Sequence, residues 1–200
     1  MQTSSIKITG ILLAGGMSLR MGSEKGTLRI GDALLYQYPL QVLEMLCDEI
    51  LISTCQASHF QVPYQKVCDE IQGIGPLGGI HSCLKQSSNA LNLVLSYDMP
   101  LVTESLFRYL ISKKDQYELV LPAMTEKRPE PLCGLYTRSV NEVIGQMIQE
   151  QDLAVNHLLN RCNSRIVPIS QEMECWQSDL FLNINSKEDL HRLPPGFGIK

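Results

Sequence analysis

A glycine-rich segment with two cations offers the clearest chemistry in this sequence. It runs from Leu13 to Lys25 and contains the letters LAGGMSLRMGSEK. Because Gly15 and Gly16 carry no side chain, backbone N–H groups there can approach a phosphate or a nucleobase closely. Arg20 and Lys25 add two cations to the same segment, as a bound polyphosphate requires. The spacing matches neither the GxGxxG pattern nor the P-loop, so the segment predicts a phosphate-binding loop of another type.

The distribution of charge supports an anion site in the same region. The whole chain of 200 residues has a formal net charge of -4. Residues 1–30 run against that balance with a local surplus of +3, from four cations and one acid (Lys7, Arg20, Lys25 and Arg29 against Glu24). The overall charge favours neither nucleic acid nor an anionic membrane as a partner, and we expect binding to neither.

The composition is typical of a soluble globular domain, and we expect the protein to be cytoplasmic. Hydrophobic residues make up 44% of the chain and charged residues 19%. The seven cysteines are odd in number and form no CxxC pair, which predicts reduced thiols packed in the core rather than zinc ligands or a disulfide framework. The first nine residues do not resemble a signal peptide, and no apolar run approaches the length of a membrane span.

Short apolar runs alternate with helical patterns along the chain. We predict strands at 8–13, 49–54, 64–68, 91–96, 118–121, 132–136, 165–169 and 181–184, and helices at 34–47, 77–84, from 103, 138–149, 154–159 and 187–192. This alternation predicts an α/β three-layer domain with a mainly parallel sheet. We expect one domain over residues 1–193 and a loose tail over 194–200. Ligands of such sheets bind beyond the carboxyl ends of the strands, where the functional residues should be sought.

Asp98 stands at one of these strand ends. It follows the predicted strand 91–96 and precedes Met99 and Pro100. A carboxylate in this position can hold Mg²⁺ while the ion contacts phosphate oxygens. An aspartate that caps the next turn would give the same pattern, so the residues alone leave both interpretations open.

Other polar residues occupy comparable positions. Asp69 follows the strand at 64–68 and precedes a glycine-rich turn at 73–79, where a flat ring could lie against the backbone, although it could also initiate the turn. Asn183 and Asn185 flank Ile184 and would share one face of a strand there, or they could cap a turn. The charged loop at 122–131 could face a second substrate or form a solvated hairpin.

The pattern LAGGxSxRMGxxK resembles the signature of the MobA-like nucleotidyltransferases. The resemblance continues through Gly75–Gly79, through Asp98–Pro100 and to Asn183–Asn185, and thus covers nearly the whole chain. It implies a three-layer α/β, Rossmann-like nucleotidyltransferase fold with a mainly parallel mixed sheet around one nucleoside triphosphate site.

The same resemblance implies roles for individual residues. The catalytic residues would be Lys25, Arg20 and Asp98. The nucleotide-binding positions would be Leu13, Ala14, Gly15, Gly16, Lys25, Ser53, Asp69, Gly78 and Asp98. Asp98 would bind Mg²⁺, with Asn185 near the metal and phosphates and Asn183 in support. Ser53 departs from the expected asparagine, so one contact to the nucleoside changes from an amide to a hydroxyl.

The implied reaction transfers GMP from GTP to the phosphate of molybdenum-bound molybdopterin, with release of pyrophosphate and help from Mg²⁺. Other molybdenum-cofactor assembly proteins or acceptor enzymes are expected partners. The nearest alternative is the CTP-dependent branch, which has LAAG where this chain has Leu13–Gly16. Nucleotidyltransferases for other sugar or polyol phosphates are a further alternative. An inactive nucleotide-binding adaptor is the last one, and it should lack Arg20, Lys25 or Asp98, all of which are present.

Overall fold

The computed structural model describes residues 6–15, 28–54, 62–125, 128–186 and 188–198. Its strands are β1 (Ile8–Leu13), β2 (Arg29–Ile30), β3 (Ala33–Leu34), β4 (Glu49–Ser53), β5 (Gln65–Val67), β6 (Leu91–Ser96), β7 (Leu119–Ala123), β8 (Cys133–Thr137) and β9 (Ser164–Pro168). Its α-helices are α1 (Gln37–Leu46), α2 (Pro76–Gln86), α3 (Glu104–Ser112) and α4 (Val140–Gln149). Short 3₁₀ helices cover Val155–Asn160 and Glu188–Arg192.

Seven of these strands form one sheet in the order β5-β4-β1-β6-β8-β7-β9. All neighbouring pairs are parallel except those of β8, which runs antiparallel to both β6 and β7. The strands β2 and β3 form a separate antiparallel hairpin. The prediction of a mainly parallel mixed sheet is therefore confirmed.

Helices cover both faces of the sheet. One apolar cluster contains Leu43 of α1 and Phe107 of α3, and a second contains Ile80 of α2 and Ile144 of α4. Residues of β1 contribute to both clusters, and β1 and β6 are buried over their whole length. Strands covered on both faces need apolar side chains at nearly every position, which explains their continuous apolar runs. The predicted three-layer α/β architecture is confirmed.

The strand predicted at 181–184 is wrong. Leu182 and Ile184 are buried, so the apolar alternation is real, but these side chains pack into the core from an irregular segment that joins no sheet. The backbone there bonds to turns instead, with Leu182 N donating to Asp179 O at 2.7 Å. The helix predicted from residue 34 begins at Gln37, since Ala33–Leu34 pairs with β2 in a hairpin that the sequence did not indicate.

Residues 194–198 belong to the segment predicted to form a loose tail, and they contact the β2–β3 hairpin. The ring of Phe197 lies 4.9 Å from the ring of Tyr38 between centroids, and Tyr38 Oη donates to Ile30 O at 2.7 Å. Phe197 thereby packs against Tyr38 of α1, whose hydroxyl is bonded to the hairpin at Ile30. The extent of the domain, residues 1–193, stays a prediction.

The described cysteines are not all reduced. Five cysteines have free thiols in the described residues (Cys47, Cys83, Cys133, Cys162 and Cys175), while Cys68 is disulfide-bonded. The expectation of reduced thiols is therefore wrong for Cys68, because spacing along the chain does not report distance in the fold. Within the described ranges, none of the helices has the length and apolar character needed to cross a membrane.

Candidate active site

Four parallel strands end at the same level of the sheet. In the register, Leu13 of β1 pairs with Ser53 of β4 on one side and with Ser96 of β6 on the other. Ser53 in turn pairs with Val67 of β5. The chain segments that leave β1, β4, β5 and β6 therefore start side by side, and we call this region the carboxyl end of the sheet. It is where an α/β sheet binds its ligands.

The segment that leaves β1 begins with part of the predicted phosphate-binding loop. Leu13 and Ala14 are buried, and Ala14 N donates to Ser53 O at 3.0 Å, so the chain follows β4 for one residue beyond the strand. A methyl group added to Gly15 would lie 3.5 Å from Ser53 O and 3.7 Å from Ser53 Oγ, which are ordinary contacts. The remaining predicted residues of this loop, Gly16, Arg20 and Lys25, lie outside the described residues.

The side chains of Ser53 and Asp69 meet the start of α2 next to this loop. Ser53 Oγ lies 3.5 Å from Asp69 Oδ1, and a methyl group on Gly79 would collide with Ser53 Oγ. We call Ser53, Asp69 and Gly79 the nucleoside cluster. The sequence interpretation selected Gly78 instead, but a methyl there would meet Ile74 Cγ1 at 2.9 Å, on the side of the turn before the helix. A nucleotide-binding role for Gly78 stays a prediction.

The carboxyl group of Asp69 is partly withdrawn from solvent. Burial raises its pKa above the ordinary value, and the hydroxyl of Ser53 offsets only part of this increase. The residue that follows is anchored to α2, since Glu70 N donates to Ser82 Oγ at 2.9 Å and Lys85 Nζ contacts Glu70 Oε2 at 2.8 Å. The loop after β5 is thus held against the helix, and Asp69 is held with it.

Asp98 lies just beyond β6, where its side chain and backbone are both bonded. Ser96 Oγ donates to Asp98 Oδ1 at 2.7 Å, and Ile184 N donates to Asp98 O at 2.9 Å. The second bond attaches the backbone of the segment that contains Asn183 and Asn185 to Asp98. The amide of Asn183 donates to Phe181 O at 3.2 Å. The prediction that both amides share one face of a strand is wrong, because the segment is irregular.

A second carboxylate, Glu130, lies near Asp98. The sequence indicated it only as part of the charged loop at 122–131, which could face a second substrate, and did not place it beside Asp98. It precedes β8, which pairs with β6 through Leu95 and Cys133. Burial raises the pKa of Glu130, the bond from Leu132 N at 3.4 Å acts in the opposite direction, and the charge of Asp98 raises the pKa further. The signal that could have indicated Glu130 is its position as an acid directly before Pro131 and an apolar strand.

The residues around Asp98 suit a magnesium ion. Carboxylate and amide oxygens, as offered by Asp98 and Asn185, are the hard ligands that Mg²⁺ prefers, and this ion is usually held by one or two carboxylates together with substrate phosphates. Among the described residues there is no group of three or more His, Cys, Asp or Glu side chains that could hold a metal ion.

A three-layer α/β fold whose glycine-rich first loop, nucleoside cluster and Asp98 share one end of the sheet is that of a nucleotidyltransferase. The family described as the MobA-like NTP transferase domain matches residues 10–166. The chain belongs to this family.

Relatives and solved structures agree with this assignment over most of the chain. A protein of Flavobacterium johnsoniae named "probable molybdenum cofactor guanylyltransferase" is 31% identical, covering 93% of this chain and 96% of that protein. A protein of Pyrococcus furiosus with the same name is 30% identical, with coverages of 93% and 96%. The crystal structure of molybdopterin-guanine dinucleotide biosynthesis protein A from Archaeoglobus fulgidus has a TM-score of 0.73 at 22% identity, covering 92% of this chain and 95% of that one. At this identity the structure supports the fold alone.

Proposed function

We propose that this chain transfers GMP from GTP to the phosphate of molybdenum-bound molybdopterin and releases pyrophosphate. The observation that carries the proposal is the convergence of the first loop, the nucleoside cluster and Asp98 at one end of the sheet. It occurs in a chain whose relatives, similar over nine tenths of their length, are named for guanylyl transfer.

The donor nucleotide would lie across the carboxyl ends of β1, β4 and β5. The backbone from Leu13 to Gly16 and the nucleoside cluster would contact its base and sugar. Glycine at 15 would let a ring approach the backbone, while glycine at 79 leaves room for the side chain of Ser53. Ser53 would supply a hydroxyl in this contact. Arg20 and Lys25 would bind the phosphates and offset the charge that develops on the departing pyrophosphate and the α-phosphoryl oxygens.

The reaction itself is one displacement at phosphorus. An oxygen of the acceptor's phosphate forms a bond to the α-phosphorus of GTP, while the bond from that phosphorus to the bridging oxygen of the β-phosphate breaks and its electron pair leaves with pyrophosphate. The attacking phosphate is already ionised, so the protein needs no general base and contributes chiefly positioning and charge neutralisation.

Magnesium is part of the proposal, with Asp98 and Asn185 as the residues that would hold it. The ion would supply charge neutralisation to the triphosphate. The bond from Ile184 N to Asp98 O attaches the segment that contains Asn185 to the backbone of Asp98, so both residues that would hold the ion are joined by it. Glu130 adds a negative charge nearby, which increases the need for a cation in this part of the site.

The proposal is tested by measuring pyrophosphate release with each of the four nucleoside triphosphates, Mg²⁺ and molybdenum-bound molybdopterin. We expect release with GTP, dependence on both the metal and the acceptor, and a product with the mass of the guanine dinucleotide. Preference for CTP would contradict guanylyl transfer and favour the cytidylyl alternative. Binding of nucleotide without turnover of any of the four would favour the inactive adaptor.

A cytoplasmic location belongs to the same proposal, as do partner proteins that deliver molybdopterin or receive the finished cofactor. Both rest on the sequence and on the names of the relatives. Co-purification of the tagged chain with molybdenum-cofactor assembly proteins would support the partners.

A further inference from the structure

A buried serine stands two residues before the proposed metal-binding carboxylate. Ser96 is 6% exposed, and its hydroxyl donates to Asp98 Oδ1 at 2.7 Å. It ends a strand that is otherwise mostly apolar, with sequence LNLVLS. A hydroxyl withdrawn from water needs a hydrogen-bond partner, and the partner here is the functional carboxylate.

The backbone of Ser96 is fixed from both sides of β6. Its register partner on β1 is Leu13, and on the other side its N–H donates to Leu132 O at 2.9 Å. Its carbonyl oxygen accepts from Met99 N at 3.3 Å, which closes a turn with Tyr97 and Asp98 at its centre. The hydroxyl of Ser96 is therefore presented from the rigid sheet.

Asp98 is also held at its backbone, by the bond from Ile184 N to Asp98 O. Because the backbone around Asp98 is held by these bonds, the orientation of the carboxylate depends on rotation about the side-chain bonds of Asp98. A hydroxyl donor at 2.7 Å restricts that rotation, since hydrogen bonds to a charged acceptor are stronger than bonds between neutral groups.

We propose that Ser96 is a positioning residue, whose hydroxyl holds the carboxylate of Asp98 in the orientation that binds the divalent ion of the nucleotide. This inference rests on the proposed function in one respect, namely that Asp98 binds the ion. It extends that function because Ser96 would orient the metal ligand Asp98 without itself contacting the nucleotide or the metal. Hydrogen-bond partners of metal ligands typically change metal affinity by about 10–100-fold when they are removed.

The test compares Ser96→Ala, Ser96→Thr and Ser96→Cys with the control Ser87→Ala. Ser87 is also a buried serine, at the C-terminal end of α2. Its hydroxyl donates to Thr9 Oγ1 at the opposite end of the sheet. Binding of Mn²⁺ to the full chain with GTP is followed by electron paramagnetic resonance, after subtraction of binding to GTP alone. Thermal unfolding of each variant is recorded alongside.

We expect Ser96→Ala to weaken Mn²⁺ binding about tenfold, the lower end of the range for such partners. Ser96→Thr should recover most of the affinity because it keeps the hydroxyl, and Ser96→Cys should fall between them because a thiol is a weak donor. Ser87→Ala should bind Mn²⁺ as the wild type does, even if it lowers the unfolding temperature. If Ser96→Ala does not fold, the Thr and Cys variants carry the comparison.

Unchanged Mn²⁺ affinity in Ser96→Ala and Ser96→Cys would overturn the inference, and so would an equal loss in Ser87→Ala. These outcomes differ from failure of the proposed function. If the wild type prefers CTP, guanylyl transfer is wrong, but the same series measured with CTP should still give the tenfold loss. If the wild type binds no Mn²⁺ beyond that bound by the triphosphate, both the metal role of Asp98 and the role of Ser96 are wrong.

Discussion

The two ends of the central sheet both place acidic side chains near buried strands, but their acids have different surroundings. At the amino end, Glu49 accepts hydrogen bonds from the hydroxyl of Thr9 and from the N–H and hydroxyl of Ser88. Burial acts to raise the pKa of Glu49, yet these bonds outweigh it and the pKa lies below the ordinary value. At the carboxyl end, burial dominates and raises the pKa of Asp69 and of Glu130.

This difference distinguishes acids whose charge the protein itself stabilises from acids whose charge it stabilises poorly. The amino end forms a network among protein groups, which continues from Thr9 to the hydroxyl of Ser87 and the amide of Asn89. The ionised acids at the carboxyl end are stabilised less well by the protein, so a ligand, a cation or a proton would improve their surroundings. The proposed nucleotide and metal site would keep this capacity at the expense of stability.

Asp98→Asn should cause the largest loss of turnover at the carboxyl end of the sheet. The change removes the negative charge that would hold the divalent ion while preserving the size of the side chain. Because a metal ion supplies several kcal/mol of charge stabilisation, we expect turnover to fall by about 1,000-fold or more. Transfer is measured as pyrophosphate release at saturating GTP and Mg²⁺. The matched control is Glu49→Gln, which makes the same chemical change at the amino end and should leave turnover intact. Near-normal turnover of Asp98→Asn at saturating Mg²⁺ would remove the metal assignment.

Lys25→Ala should have the next largest effect. The residue lies outside the described residues, and the expectation comes from its place in the predicted phosphate-binding loop. Loss of one charge contact to the transition state is worth about 3–4 kcal/mol, so kcat should fall by about 10²–10³-fold. Steady-state kinetics separate this from a binding role. A variant with normal kcat and a raised KM for GTP would show that Lys25 binds the ground state instead.

The two ends should respond to loss of charge with opposite changes in stability. Glu49→Gln weakens hydrogen bonds to a carboxylate and should lower the free energy of unfolding by about 1–2 kcal/mol at pH 7. Asp69→Asn removes a carboxylate that burial disfavours, so it should raise the free energy of unfolding by less than about 1 kcal/mol while weakening nucleotide binding. Urea unfolding measures both changes. A loss of stability in both variants would contradict the comparison.

The pH dependence of these two variants follows from the signs of the pKa shifts. The folded pKa of Glu49 is lowered, so its contribution to stability is present above the unfolded pKa of about 4.3 and is lost as the pH falls through the folded value. The folded pKa of Asp69 is raised, so its destabilising effect is present above that folded value and disappears as the pH falls towards the unfolded value of about 3.9. Both variants should therefore converge on the wild type in acid.

The sequence predicted the sheet well wherever a local pattern reports burial directly. The strand at 91–96 was predicted at its observed bounds, because both faces of β6 are covered and every position is buried. The same reasoning was wrong at 181–184, where alternating burial comes from core packing without a sheet partner. The β2–β3 hairpin was missed, since strands of two residues leave no periodic signal.

The candidate site was predictable in part. Residues at strand ends, such as Asp69 and Asp98, could be selected because parallel strands end together. Ser96 was not selected, and Glu130 was predicted only as part of the charged loop at 122–131. The bond from Ser96 to Asp98 depends on the turn that follows β6, which the sequence did not indicate. The proximity of Glu130 to Asp98 depends on the pairing of β8 with β6, which is set by tertiary structure.

The smallest expected effect concerns the choice of base, at Gly15. We expect GTP to be preferred over CTP, and Gly15→Ala to reduce that preference without inverting it. The added methyl would lie 3.5 Å from Ser53 O, an ordinary contact, so the folded protein should accept it and a change in selectivity would reflect the ligand. If the backbone here forms the floor of the base pocket, the methyl should disfavour a purine more than a pyrimidine. Single contacts of about 1–3 kcal/mol change selectivity by about 10–200-fold, and a methyl at the edge of the pocket should act at the lower limit.

Competition between the two triphosphates measures the ratio of kcat/KM values, with thermal unfolding as the control for folding. An unchanged ratio would remove Gly15 as the cause of the preference, whereas equal use of GTP and CTP by the wild type would remove the preference itself.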